Sequence, residues 1–172
     1  KALWIACTNP AQSMPDQATV RRALERAEFV VLQEAFATTA TAPYADLLLP
    51  AAAWGEKEGT VTNSERRISR VRAAVPAPGN ARADWSIVVD FAQRLEAMAA
   101  HAKPSLFAYT TAESIWNEHR ASTRGRDLDI TGMDYALLAA QGSQQWPQPL
   151  GQSQGTARLY TDGVFPTVDG KA

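Results

Sequence analysis

The sequence predicts an α/β fold: an open, mostly parallel sheet with flanking helices, followed by a C-terminal helical and extended appendage. Three observations point to it. Short apolar runs alternate with a helical stretch through the first third of the chain, the pattern of parallel strands joined by a crossover helix. A third apolar run, Leu47-Leu48-Leu49, breaks at Pro50 into a loop crowded with charged and amide groups. A long amphipathic helix, from Ala83 to about His101, carries Trp85, Val88, Val89, Ala92, Leu95 and Ala99 on one face.

The first strand is expected over Ala2 to Ala6, overlapping the apolar run Leu3 to Cys7, and stops at Thr8-Asn9-Pro10. A helix follows from about Pro15-Asp16, with Val20, Leu24 and Ala27 at helical spacing. Phe29 to Leu32 is the next β-branched run, completing a βαβ unit. A Thr- and Ala-rich segment suggests a short helix before the third strand, which reads as buried and ends at Pro50 because proline has no N–H for a sheet ladder. Ile68 and Val71 suggest a further short strand, and Pro76 and Pro78-Gly79 mark a loop.

Beyond Lys103-Pro104 the texture changes, so a first domain is placed at 1–102 and an appendage packed on it at 103–172. Thr110 to Glu113 fits a capping box for a helix carrying Ile115 and Trp116. Thr131 is expected to open another helix, with Tyr135, Leu137 and Leu138, ended by Gly142. Ser143 to Gly155 is Gln-, Gly- and Pro-rich and reads as an extended wrap. Arg158 to Tyr160 and Val164-Phe165 flank Asp162-Gly163, a hairpin signal.

Composition narrows the classes of function. At 172 residues the chain holds one ordinary domain with an extension, and its net charge of −1 argues against a nucleic-acid partner. A single cysteine, Cys7, excludes an internal disulfide framework and any multi-cysteine metal site made by this chain alone; at a strand end it reads as a small apolar side chain. No run reaches transmembrane length, no signal-peptide layout opens the chain, and cytoplasm is the expected compartment. The chain starts inside a strand without Met and ends on a turn-like Asp169-Gly170-Lys171-Ala172, as a piece of a longer polypeptide would.

Ligands of open parallel sheets lie across the carboxyl ends of the strands, which here carry Thr8, Asn9, Gln33, Glu34 and the loop after Pro50. No Gly-x-Gly-x-x-Gly follows the first strand; Thr8-Asn9-Pro10-Ala11 stands there instead. Glu34 sits where an acidic residue accepts hydrogen bonds from ribose hydroxyls, or equally where one caps a helix. Lys57, between Glu56 and Glu58, suits either a phosphate or a salt bridge to its own neighbours. Asp84 opens the long helix, as a cap or as a carboxylate that accepts paired hydrogen bonds from the N1–H and amino group of guanine, a match adenine lacks. Arg66, Arg67, Arg70 and Arg72 form a basic stretch facing either a small anion or an acidic surface. His101 and His119 have no partner at ligand spacing and read as surface histidines.

The ordered motifs LWIACTNPAQSMPD, FVVLQEAFATTATAPYADLLLPAAAWGEKEGTVTNSERRISR and PGNARADWSIVVDFAQRL resemble the third domain of the molybdopterin oxidoreductase family, which includes dimethyl sulfoxide reductase, formate dehydrogenases and bacterial nitrate reductases. EKEGTVTNSERR, QWPQP, GTARLYTDGVFPT and the closing DGKA most resemble the catalytic subunits of bacterial assimilatory nitrate reductases.

The resemblance implies a Rossmann-like variant gripping one guanosine dinucleotide arm of a molybdenum bis(molybdopterin guanine dinucleotide) cofactor. Asn9, Gln33, Glu34, Lys57 and Asp84 match the family's cofactor contacts, with Glu34 replacing the Asp of some relatives. The metal ligand and the cysteines of a 4Fe-4S cluster lie in sequence this chain does not contain. The parent enzyme is then expected to take electrons from a donor protein or domain and reduce nitrate to nitrite, with the remaining domains of the polypeptide as partners. The isolated chain is expected to be inactive and metal-free, which nitrate reduction by the purified chain with a viologen dye would refute. The same domain of a formate dehydrogenase-like enzyme, and a stand-alone nucleotide-binding module, are the alternatives.

Overall fold

A computed structural model of the chain describes residues 1–99 and 104–172. They form two compact units: 1–57 with 73–108, and 58–72 with 109–172. The single boundary expected at 102/103 thus differs from the observed division, in which an internal hairpin segment goes with the C-terminal unit.

The first unit is built on three parallel strands in the order β1 (Ala2–Ala6), β2 (Phe29–Glu34) and β3 (Leu47–Pro50). Register pairs Ala6 with Gln33 and Glu34 with Pro50, so all three strands end along one edge. The crossover from β1 to β2 runs through a one-turn helix α1 (Pro10–Ser13) and α2 (Gln17–Arg26), where Asp16 accepts a hydrogen bond from the Thr19 N–H, as the helix start at Pro15-Asp16 predicts. Ile5, Ala11, Leu24, Val30 and Leu32 make the core under α2. The alternate side chains Trp4, Val31 and Leu49 turn to the other face, toward Ile87 and Phe91 of α3 (Asp84–Met98). There the Trp4 and Phe91 rings meet edge-on, with centroids 5.0 Å apart. Helices therefore flank both faces of the sheet.

Four sequence expectations change in this unit. Leu47 and Leu48 are 43% and 38% exposed because β3 is an outer strand, hydrogen-bonded as a strand only to β2. On α3 the buried positions are Ile87 and Val89, whereas Val88 and Leu95 are exposed; helical period identifies an apolar stripe but not how far round it the sheet reaches. The expected end of this helix at His101 lies outside the described residues. Cys7 is exposed, at φ 60°, beyond the strand end. The Thr- and Ala-rich segment forms a single 3₁₀ turn, Ala42–Tyr44.

The second unit holds an antiparallel sheet, so the chain as a whole is a mixed parallel and antiparallel α/β protein. β4 (Gly59–Thr62) and β5 (Arg67–Val71) form a hairpin whose turn is tied by Asn63: its side-chain oxygen accepts from the N–H groups of Glu65 and Arg67. β6 (Gln144–Gln145) pairs with the start of β5. The strand expected at Ile68 and Val71 exists, but in this sheet and not in the parallel one.

In α4 (Ala112–Ser122) the capping box is Thr111 with Ser114, one residue later than the Thr110–Glu113 reading. In α5 (Tyr135–Gln141) the cap is Asp134, which accepts the Leu137 N–H, while the Thr131 hydroxyl, outside the helix, donates to Asp129 and accepts the Leu150 N–H. Ile68, Trp116, Ile130, Met133, Tyr135 and Leu138 form the core. Asp162-Gly163 does make a turn, closed by Gly163 N–H to the Tyr160 carbonyl, yet no strands flank it.

Candidate functional site

The carboxyl edge of the parallel sheet collects most of the polar residues singled out from sequence. Beyond β3 the chain makes one parallel bridge, Ala51 with Arg82, supported by Ala52 N–H to the Arg82 carbonyl at 2.8 Å and Arg82 N–H to the Pro50 carbonyl at 3.1 Å. That bridge carries Asp84, the first residue of α3, to the same edge as Gln33. The loop after β3 is folded by a 3₁₀ turn, Trp54–Glu56, in which Glu56 accepts the Ala53 N–H and the Gly55 carbonyl accepts from Ala74 and Val75. Lys57 leaves that turn pointed at α3.

Three of the five candidates meet. Lys57 Nζ lies 2.5 Å from Asp84 Oδ2, and Gln33 Nε2 donates to Asp84 Oδ1 at 2.8 Å. Gln33 is only 2% exposed and its Oε1 is buried without a hydrogen-bond partner among the described residues, an acceptor left over at the site. The Trp54 ring lies 5.5 Å from the Lys57 ammonium. Asp84 does not cap α3, whose start at Ala83 has no side-chain cap, so its carboxylate faces its two partners.

Burial pushes the Asp84 carboxyl up. The Lys57 and Gln33 hydrogen bonds and the Lys57 charge outweigh burial, so the group is held below its ordinary range. A carboxyl depressed in the folded state contributes stability that is present above its unfolded pKa and lost as pH falls through the folded one. Wild type is therefore expected to exceed Asp84→Asn in urea midpoint at neutral pH, the gap narrowing once pH drops below about 4. A gap unchanged down to strongly acid pH would show that Asp84 contributes nothing through its charge.

Asn9 and Glu34 are positioned otherwise. Asn9 Oδ1 accepts both the N–H and the hydroxyl of Thr41, at 3.1 and 2.6 Å, and its amide donates to Gln12. It staples the loop after β1 to the loop after β2. Thr41, fully buried, also accepts the Ala11 N–H, and sequence reading missed it: one threonine among several in a Thr-Ala stretch carries no distinguishing pattern. Glu34 Oε1 accepts the N–H groups of Ala35 and Phe36, binding the turn that follows its own strand.

The salt bridge from Lys57 to its sequence neighbours does not form, since Glu58 takes Arg70 at 3.0 Å. The basic stretch is largely engaged within the second unit. Arg66 donates to the carbonyls of Trp146, Thr156 and Ala157, and Arg67 to that of Ser143. Arg70 stacks 3.5 Å over the Tyr135 ring. His119 lies beside the Trp116 ring, and His101 is outside the described residues. Among the described residues no three His, Cys, Asp or Glu side chains gather into a metal-binding group, and no helix is long and apolar enough to cross a membrane. The strand order shows no reversal among those residues, so a doubly wound sheet with its switch-point crevice is not formed by them.

Comparisons with known proteins place the chain as a whole. The molybdopterin oxidoreductase family profile matches residues 1–94. The chain is 41% identical over its whole length to the assimilatory nitrate reductase catalytic subunit of Bacillus subtilis, covering 23% of that protein. It is 42% identical to a nitrate reductase of Synechocystis sp. over 99% of the chain and 24% of the relative. A formate dehydrogenase alpha subunit of Methanocaldococcus jannaschii is 39% identical over 99% of the chain and 24% of the relative. The chain thus spans about a quarter of the length of these relatives. Acetylene hydratase from Pelobacter acetylenicus superposes with a TM-score of 0.67 over 99% of this chain and 21% of its own, at 18% identity, a likeness of fold. With more than half of its residues matching the family profile, the chain belongs to the molybdopterin oxidoreductase family.

Proposed function

We propose that this chain is the part of a molybdenum-dependent nitrate reductase catalytic subunit that holds one guanosine dinucleotide arm of the bis-molybdopterin cofactor, corresponding to the third domain of such enzymes. The observation that carries the reading is the Gln33–Asp84–Lys57 constellation at the carboxyl edge of the sheet. An ionised carboxylate offers about four acceptor sites. Two here are taken by Gln33 and Lys57, and the others suit the N1–H and amino donors of guanine. The unpartnered Gln33 Oε1 fits a ligand rich in N–H donors. Asn9 and Glu34 order the two loops that border this acceptor group, and the five residues together form the nucleotide wall.

The cofactor, when bound, supplies the oxygen-atom transfer that turns nitrate into nitrite; the share of this chain is to bind and orient one arm. Metal ligands, iron–sulfur cysteines and the electron donor belong to other parts of the parent polypeptide and its partners, in the cytoplasm. The same domain of a formate dehydrogenase is the second reading, favoured by the Methanocaldococcus relative of nearly equal identity. The test is calorimetric titration with GDP and ADP. Wild type is expected to prefer GDP, and Asp84→Ala to lose that preference with affinity down by about tenfold or more. Equal affinity of the wild type for both nucleotides would overturn the proposal.

A further inference from the structure

We propose that Lys57 is a positioning residue that holds Asp84 in place as an acceptor, and that it is not the contact to the phosphates of the nucleotide arm. The inference rests on the guanosine reading above and sharpens the role of one residue within it. Three observations carry it. First, the Lys57 ammonium is bound to a carboxylate oxygen at 2.5 Å, and both side chains are largely covered, at 24% and 29% exposure, so the two charges neutralise each other at the site. Second, Trp54 lies beside the ammonium, limiting where else it can point. Third, Gln33 holds the other oxygen of Asp84 from a buried strand end, so the carboxylate is clamped on both sides.

A phosphate that captured Lys57 would have to draw it from Asp84. That would leave a half-buried carboxylate without its counter-charge, beside the incoming anion. A Lys57 that stays on Asp84 has the opposite effect: it keeps the carboxylate ionised and aimed, with lone pairs open for ligand N–H groups. Lys57 and Gln33 are the partners that face Asp84, and Lys57 is the one that carries charge.

Guanosine, which has no phosphate, separates the two roles. Affinities of guanosine and GDP are measured for wild type, Lys57→Met and Lys57→Arg by calorimetry. The expected result is that Lys57→Met weakens both ligands by the same factor, about tenfold, while Lys57→Arg restores both. Loss confined to GDP, with guanosine unchanged, would overturn the proposal and make Lys57 a phosphate contact.

Titration of the Asp84 carboxyl carbon by NMR is independent of any ligand. Its midpoint is expected to rise in Lys57→Met and to stay near the wild-type position in Lys57→Arg; an unchanged midpoint in Lys57→Met would refute the clamp. If wild type binds neither guanosine nor GDP, the nucleotide reading falls, and the NMR titration still decides whether Lys57 positions Asp84. Circular dichroism of each variant shows that it is folded, and Lys57→Arg serves as the folded control.

Discussion

Trp116→Ala is expected to lower the stability of the second unit by about 3–5 kcal/mol, the range for removing a large aromatic from a packed core. Trp116 is 7% exposed on α4 and belongs to the cluster it forms with Ile68, Ile130, Met133, Tyr135 and Leu138. Its indole N–H donates to the Met133 carbonyl at 2.7 Å, so truncation removes both the packing and the partner of a buried acceptor. Trp116→Phe separates the two contributions: it keeps most of the buried area and is expected to cost only about 1–3 kcal/mol, for the orphaned carbonyl and the residual cavity. Urea denaturation followed by circular dichroism reads the stability change. Hydrogen exchange at the Ile68 and Leu138 amides shows whether this unit is the one that loosens. Equal stability of Trp116→Ala and wild type would remove this cluster as the source of the unit's cohesion.

Gly155→Ala is expected to be nearly as damaging, at about 3 kcal/mol, through overlap in a tightly packed place. A Cβ built on Gly155 would overlap the Gln145 carbonyl oxygen and lie 2.8 Å and 2.9 Å from the backbone N and C of that residue. Those are backbone atoms, so relief requires β6 to shift, and β6 is paired with β5 at Arg67 and Ile68. The Gly155 N–H also donates to the Gln144 side chain, and the next residue, Thr156, donates to the Gln145 and Pro147 carbonyls. Gly163→Ala is the comparison: Gly163 has φ 72° with open space around it, so its substitution carries only the left-handed backbone cost of about 1–2 kcal/mol. Thermal melts of the two variants check the ranking, and a larger drop for Gly163→Ala would refute the close-approach argument.

Much of the local structure was legible in the residue order. The βαβ start follows from Val30, Val31 and Leu32 on one side and the Val20–Leu24 spacing on the other, with Asp16 as a cap of the right chemistry. Where two readings shared one spacing, the sequence could not choose. Thr110–Glu113 and Thr111–Ser114 are both boxes three residues apart, and the helix took the second. Thr131 was read as the start of α5, and the helix is instead capped three residues further on, by Asp134. The Leu47–Leu49 run looked buried because strand hydrophobicity does not reveal whether the strand is central or at an edge. The hairpin of β4 and β5 was hardest to place, since its third strand, β6, comes from the far end of the chain.

The candidate site divides in the same way. Sequence reading singled out Asn9, Gln33, Glu34, Lys57 and Asp84 as candidates, because strand ends, the charged loop after the third strand and the first turn of a helix are where polar side chains can face a ligand. What each does there was decided by partners distant in sequence. Lys57 reaches across 27 residues to Asp84 and not to the glutamates beside it. Gln33 reaches across 51 residues, and Asn9 across 32 to Thr41.

By itself the sequence determined the opening strand–helix–strand order, the third strand, the long helix opened by Asp84 and the family; periodicity, caps and motif spacing are local properties. Only the tertiary structure decided which charge meets which, that Arg66 and Arg67 are bound to carbonyls and Arg70 to a tyrosine ring, and that Asp84 is clamped from both sides. The physical reason is that a hydrogen bond or ion pair depends on the strand register and on the bridge that brings Arg82 beside Ala51, and neither is written in the residues adjacent to the groups it joins.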